Sequence, residues 1–305
     1  MPEAITPAAL GELTRIADGV HVFSQPEWGW GLNNSGLIVT EDAMLLIDTC
    51  FTERRTARLR EEIRRISGEP VRYLVNTHHH GDHTFGNYQF PEATVIGHSY
   101  CREKIISEGL AVVPYFTIDW GDIRISPPTV CTDQRLTISL DTVTVEMIPV
   151  APAHTLGDVV VWLPKQRVLF VGDIALNGST PVITDGSLVG SRAALDVVRE
   201  LRPETVVPGH GPVGGPEIFD AVSRYFDVVE TAAQRGHTRG QTPLEAARAV
   251  DLGEYAAWSD SERLVANIAR TYSELRGEPL GTPLARQEIA PMMIEFAGHP
   301  LRCLA

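Results

Sequence analysis

The run Asn76-Thr77-His78-His79-His80-Gly81-Asp82-His83-Thr84 packs four histidines and one aspartate into six residues. Imidazoles at that density beside a carboxylate are the donor set of a divalent cation, zinc above all. The run follows a largely apolar segment, residues 71–75, that reads as a buried strand. Alternate residues of an extended backbone point the same way, so His78 and His80 can share one cation. A turn after Gly81 would send Asp82 and His83 to the other side, where they can hold a second. A histidine tag or a solvated loop is the plainer reading. A tag, however, sits at a terminus and does not carry Gly-Asp-His behind a strand.

Three further places supply donors of the same kind. His154 lies in Ala153-His154-Thr155-Leu156-Gly157-Asp158, just after a strand-like run; Asp173 ends Phe170-Val171-Gly172-Asp173; His210 sits in Pro208-Gly209-His210-Gly211-Pro212. Singly, each is an ordinary cap or turn residue. Together they set polar donors at successive strand ends, all aimed at one edge.

The elements that must position them follow from periodicity. Strands are expected over residues 20–24, 36–40 and 43–48, the last ending on Asp48. A charged helix over 52–67 carries Leu59, Ile63 and Ile66 as its inner stripe. A short strand over 94–97, a helix over 99–110 and a loop or lid over 113–128 come next. Strands over 137–140, 143–150, 159–163 and 168–172 form a second set, followed by a helix over 191–201 and a strand over 205–207. Pro216 suits a helix start, and the helix to about Gln234 would bury Ile218, Val222, Tyr225, Phe226 and Val229. Residues 242–276 give two more helices, and the tail 277–305 is rich in proline and glycine before it turns apolar. Strands then helix, twice over, predict an α/β chain built as a four-layer αββα sandwich, not a doubly wound sheet. Residues 1–240 would form the main domain, with 241–305 a helical extension packed on it. Trp28 and Trp30, set among glycines between the first two strands, either cap the core or form a flap over a cleft.

Composition narrows the function classes. The 305 residues are 43% hydrophobic and 21% charged, as in an ordinary globular protein. Lysine and arginine number 26 against 39 acidic residues, a net charge of −13, which disfavours nucleic acid and anionic membrane as partners. It also weighs mildly against an acidic carrier protein. Cys50, Cys101, Cys131 and Cys303 are dispersed and read as reduced residues, not as a disulfide framework or thiolate site. Met1-Pro2-Glu3-Ala4 shows no signal-peptide pattern and no apolar run approaches membrane-spanning length, so a cytoplasmic location is expected.

Read in order, His78-x-His80-x-Asp82-His83, His154, Asp173 and His210 resemble the ligand signature of the metallo-β-lactamase-fold hydrolases, over about residues 18 to 215. The resemblance implies one zinc on His78, His80 and His154 and a second on Asp82, His83 and His210, with Asp173 and a water between them; manganese or iron can occupy similar donors. Asp82 would also move a proton, which makes it the expected catalytic residue, while His79 is the variable position and takes no ligand role. Asp48 and Asp158 are candidate acceptors behind the zinc-bound histidines. The absence of cysteine from the second site, the carboxylate of Asp173, and His rather than Glu at position 80 favour ester, lactone or thioester chemistry over β-lactam or oxygen chemistry.

Other segments resemble, more narrowly, the aromatic polyketide cyclases of the actinorhodin type. They are Trp30-Gly31-Leu32-Asn33-Asn34, the block 48–55, Thr84-Phe85-Gly86-Asn87, Asp119-Trp120-Gly121-Asp122, Val159-Val160-Val161-Trp162-Leu163-Pro164 and Cys303-Leu304-Ala305. That resemblance implies ring closure on a carrier-bound poly-β-ketone, thioester cleavage, or both. Trp28, Trp30, Asn33, Phe116 and Trp120 would then contact the substrate. Two other functions fit the same chain: a general lactonase or thioesterase on small metabolites, and a non-catalytic small-molecule binding protein of this fold. The apolar tail around Met292, Met293, Ile294 and Phe296 suits core, a homodimer contact or pocket lining.

Overall fold

The computed structural model describes residues 10–305; the Met1–Ala4 stretch read above lies outside them. A first mixed sheet runs in sequence order through β1 (Glu12–Ala17), β2 (Val20–Ser24), β3 (Ser35–Val39), β4 (Met44–Ile47), β5 (Val71–Val75), β6 (Thr94–Gly97) and β7 (Val130–Cys131). Its β1 to β4 are antiparallel hairpins, and from β4 onward the strands pair in parallel. Parallel pairing needs crossovers, and α1 (Glu53–Ile66) supplies the one between β4 and β5. The short α2 (Gly81–Thr84) and then α3 (Ser99–Glu108) follow β5 and β6.

The second sheet is ordered β12-β11-β10-β9-β8, from β8 (Leu136–Leu140), β9 (Val143–Pro149), β10 (Val159–Leu163), β11 (Val168–Phe170) and β12 (Thr205–Val207). Between β11 and β12 runs α4 (Leu188–Glu200), and β12 is followed by α5 (Glu217–Thr238), α6 (Pro243–Arg248), α7 (Arg263–Leu275) and α8 (Arg286–Ala297).

Three cores define the layers. Val22, Ile38, Leu45, Ile47 and Val75 of the first sheet meet Val145, Met147, Val161 and Phe170 of the second between the sheets. Phe23, Leu37, Met44, Leu46 and Leu74 face Leu59 and Ile63 of α1 on one outer side. Ile148, Val160, Trp162 and Leu169 face α4, α5 and α7 on the other. The chain is therefore the expected αββα sandwich, with β10 buried along its whole length as a strand covered on both faces must be.

The element boundaries expose where periodicity misled. Ile66, the expected third residue of the α1 stripe, is 38% exposed because the helix ends there and Ser67 turns extended. Helix α4 starts at Leu188, three residues before the expected 191, because the Ser187 side chain accepts from Gly190 N and caps it. Within the expected helical extension the tail contributes α8, with Pro291 inside it. It packs on α6 and α7, burying Ile289 and Met293.

Candidate metal centre

All the singled-out donors come from carboxyl ends of strands along one edge of the sandwich, the position where open sheets present ligands. Val75 of β5 leads into His78, His80 and α2; Pro149 of β9 leads to His154; Phe170 of β11 leads to Asp173; Val207 of β12 leads to His210. The two sheets are tied at this edge. Val159 N donates to Thr77 O at 2.9 Å, and Asn34, before β3, uses its N and Nδ2 to hold Gly209 O, Pro208 O and Gly211 O of the His210 loop.

The singled-out donors fall into two clusters, each with its donor atoms within 4.8 Å of one another: His78, His80, His154 and Asp173 in one, Asp82, His83 and His210 in the other; by the same measure His79, expected to take no ligand role, groups with His80 and Asp185. In the first, His80 Nδ1 and His154 Nε2 converge to 2.9 Å. In the second, His210 Nε2 stands 3.2 Å from Asp82 Oδ2. Asp173 reaches both: its Oδ1 is 3.3 Å from His83 Nε2, and its Oδ2 is 3.6 Å from His154 Nε2 and 3.5 Å from His210 Nε2. The expected bridging carboxylate thus lies between the two triads.

The partners behind the donors set which ring nitrogen faces inward. Asp48, in the left-handed region at φ 57°, accepts from Thr77 N, Thr77 Oγ1 and, at 2.8 Å, His83 Nδ1, leaving His83 Nε2 turned to the cluster. Asp185 lies 3.2 Å from His80 Nε2, leaving Nδ1 inward. Thr77 Oγ1 sits 3.0 Å from His78 Nδ1. Asp158, expected to back a histidine, instead accepts from Thr155 N and Thr155 Oγ1. It pins the turn that carries His154, and its burial lifts it to about 6 against those two hydrogen bonds.

The residues present fit a pair of divalent cations. His78 Nε2, His83 Nε2 and Asp173 Oδ1 are buried without a hydrogen bond, although buried polar atoms are almost always satisfied. Burial holds His78 well below the usual imidazole range and takes His154 down to about 3, so both keep a free lone pair at neutral pH. Burial opposes the charged forms of Asp82 and Asp173, but the neighbouring His83 and His210 outweigh it and hold both carboxyls low. The same pairing lifts His210 to about 9 against its burial. Two ionised, half-buried carboxylates among mostly buried imidazoles form the charge pattern that cations complete. None of the four cysteines belongs to either cluster.

Gly209 lets the β11 and β12 ends meet. A Cβ there would stand 1.9 Å from Asp173 Oδ1 and 2.8 Å from the Gly172 carbonyl. Gly209→Ala should displace Asp173 and cut metal affinity by about 10–100-fold, the range for disturbed ligand support; competition with a chromophoric chelator measures it, and an unchanged constant would show that Asp173 is not needed.

Over the clusters opens a cavity with an empty volume of about 1230 Å³, including its mouth. Asp82, Asp173 and His210 form part of its floor; Trp30, Phe51, Phe85 and Phe116 line one side; Ile289, Ala290 and Met293 of α8 line another. Of the expected substrate contacts, Trp30 and Phe116 line this space, their rings 5.6 Å apart. Trp30 is no loose flap: Nε1 donates to Glu262 at 2.8 Å and Arg263 covers the ring at 4.1 Å. Trp120 does not line the cavity and packs edge-on against Phe51 behind it. Trp28 is 41% exposed and off the cavity. Asn33 is corrected outright: fully buried, its amide donates to Thr49 O and Asn34 O and accepts from Gln25, so it shapes the loop and cannot meet substrate. Sequence reasoning missed Asp185 and Arg286, which lack any local motif and meet only in the fold.

The profile of the Metallo-beta-lactamase superfamily matches residues 28–210, and the chain belongs to that superfamily. It is 26% identical over 219 residues to the metallo-beta-lactamase type 2 of Bacteroides fragilis, covering 68% of this chain and 82% of that protein. A linear primary-alkylsulfatase of a Pseudomonas species is 22% identical over 268 residues, covering 72% of this chain but 50% of the sulfatase. A hydroxyacylglutathione hydrolase of Synechococcus is 28% identical over 172 residues, covering 53% of this chain and 57% of that enzyme. Among solved structures, a metallo-beta-lactamase from Pontibacter korlensis superposes with a TM-score of 0.60 at 21% identity, covering 70% of this chain and 97% of that one; this likeness concerns the fold. Members of the superfamily are metal-dependent hydrolases, and homologues use a dizinc site. Among the described residues, no helix is long and apolar enough to cross a membrane.

Proposed function

We propose that this protein is a dizinc cyclase/thioesterase that acts on a carrier-bound aromatic polyketide intermediate, closing a ring, releasing the acyl chain, or both. The observation that supports this reading is the cavity over the clusters: the aromatic rings of Trp30, Phe51, Phe85 and Phe116 on one side, Ile289, Ala290 and Met293 of α8 on another, the candidate metal donors at the floor, and Lys104, Glu108, Asp185, Arg263 and Arg286 also along its wall. Such a space suits a flat, apolar acyl chain whose carbonyl end reaches the clusters.

His78, His80 and His154 would hold one zinc and Asp82, His83 and His210 the other, with Asp173 between. When bound, two such cations polarise a carbonyl and make water or an enol more acidic. The chain's own groups do the rest. Phe51, Phe85 and Phe116 are buried together and keep water from the acyl chain. Asp82 lines the floor with its side chain 16% accessible, where it can take a proton from the attacking group and return it.

A second reading, a thioesterase or lactonase for small metabolites, is favoured by the hydroxyacylglutathione hydrolases among the relatives. Incubating the zinc-loaded protein with a carrier-bound polyketide intermediate, followed by mass spectrometry, separates the two. Ring closure or release that disappears in an Asp82→Ala, His83→Ala double variant supports the cyclase/thioesterase. An unchanged polyketide with rapid turnover of simple lactones or acyl-glutathiones supports the second reading and sinks the first.

A further inference from the structure

Helix α8 lies outside the matched family segment, yet it is linked to a metal-ligand candidate by two side chains. Arg286, the first residue of α8, directs Nη2 to both carboxylate oxygens of Asp185 at 3.0 Å. Its Nη1 donates to Glu108 Oε2 at 2.8 Å, which ties the same guanidinium to the end of α3. Asp185 Oδ2 also accepts from Thr184 Oγ1 at 2.8 Å and stands 3.2 Å from His80 Nε2. The opposite nitrogen of that ring, Nδ1, is the one aimed at His154.

The turn bearing Asp185 is fixed against the His154 loop as well. Ser187 N donates to Ala153 O at 2.7 Å, and a Cβ on Gly186 would fall 2.0 Å from that carbonyl. Asp185 therefore touches one arm of the first cluster while its neighbours hold the other. A carboxylate on the outer nitrogen of a ligating histidine fixes the tautomer and the ring orientation. A planar guanidinium donating to both oxygens fixes that carboxylate in turn.

We infer that Asp185 and Arg286 are positioning residues for the first metal: through Asp185, helix α8 holds His80 with Nδ1 presented to the cation. The inference rests on the metal-ligand reading of His80 and not on the substrate, so the test reads metal affinity and not turnover. Asp48 performs the corresponding task for His83 from within the matched segment. In the Asp185 arrangement the C-terminal extension completes the first site, and its metal affinity depends on α8 being seated.

The test uses the full chain and zinc alone, with the two binding constants resolved by competition against a chromophoric chelator. Asp185→Asn is isosteric, and Arg286→Met keeps the aliphatic stem that packs beside the cavity. Asp185→Asn should weaken one zinc by about 10–100-fold and Arg286→Met should weaken the same zinc by a smaller factor. The other constant should stay within about twofold in both. Cobalt(II) placed in the weakened site should show shifted visible bands, a signature that a loss of packing alone would not give. Both constants unchanged in Asp185→Asn would overturn the inference. Equal weakening of both zincs together with a lowered melting temperature of the metal-free protein would also overturn it, by showing a general structural role. If Arg286→Met does not fold, Arg286→Lys, which keeps the charge but not the planar fork, tests the link to α8 in its place, and an unchanged constant for that zinc would remove α8 from the inference.

Discussion

Asp82→Asn is expected to lower kcat on the order of 10²–10⁴-fold, the range for loss of a positioned proton-transfer group, with little change in melting temperature. The substitution keeps the shape of the side chain and the oxygen that His210 Nε2 approaches at 3.2 Å. It removes the carboxylate charge, which His83 and His210 hold in its ionised form against the cost of burial. Because Asp82 is both a donor of the second cluster and part of the cavity floor, zinc should be counted in the same samples. A kcat within threefold of wild type at full zinc occupancy would remove Asp82 from the chemistry.

Asp48→Ala should cost about 3–5 kcal/mol of stability, the usual consequence of removing one partner from a buried charged pair. Asp48 is 2% exposed, and its two oxygens serve Thr77 N, Thr77 Oγ1 and His83 Nδ1, at 2.8, 2.7 and 2.8 Å. Its backbone sits at φ 57°, where aspartate and asparagine are tolerated far better than residues without a short polar side chain. Asp48→Asn should therefore recover part of the stability, and metal affinity should fall in both variants because His83 loses its orienting partner. Urea titration of the metal-free proteins gives the stability difference. A loss below 1 kcal/mol in Asp48→Ala would contradict the network.

Much of this arrangement was legible in the chain. The His78–His83 run, His154, Asp173 and His210 are separated by dozens of residues, yet each follows a strand readable from its own apolar pattern, so the fold was bound to gather them. The sandwich was likewise readable from two successive sets of strands and from the stripe on α5. The aromatic contacts were legible only by half. Trp30 and Phe116 reach the cavity, while Asn33, equally suggestive beside a tryptophan loop, is consumed by backbone carbonyls. Neither neighbouring residues nor periodicity shows which side of a loop faces the cleft. Asp185 and Arg286 stand 101 residues apart, and nothing local marks either one. Their roles arise only when the start of α8 meets the Asp185 turn and the end of α3. A helical extension was expected over 241–305, but Pro291 and the flanking Pro and Gly residues obscured the bounds of α8, since tertiary packing on α6 and α7 overrides weak local propensity.

The most direct measurement is the zinc content of the purified, zinc-loaded protein after exhaustive dialysis, by atomic emission. Two equivalents per chain are predicted for the wild type, and one for the Asp82→Ala, His83→Ala double variant, whose first cluster keeps His78, His80, His154 and Asp173. A wild type that binds no zinc, or a double variant that still binds two, would contradict the two-centre account.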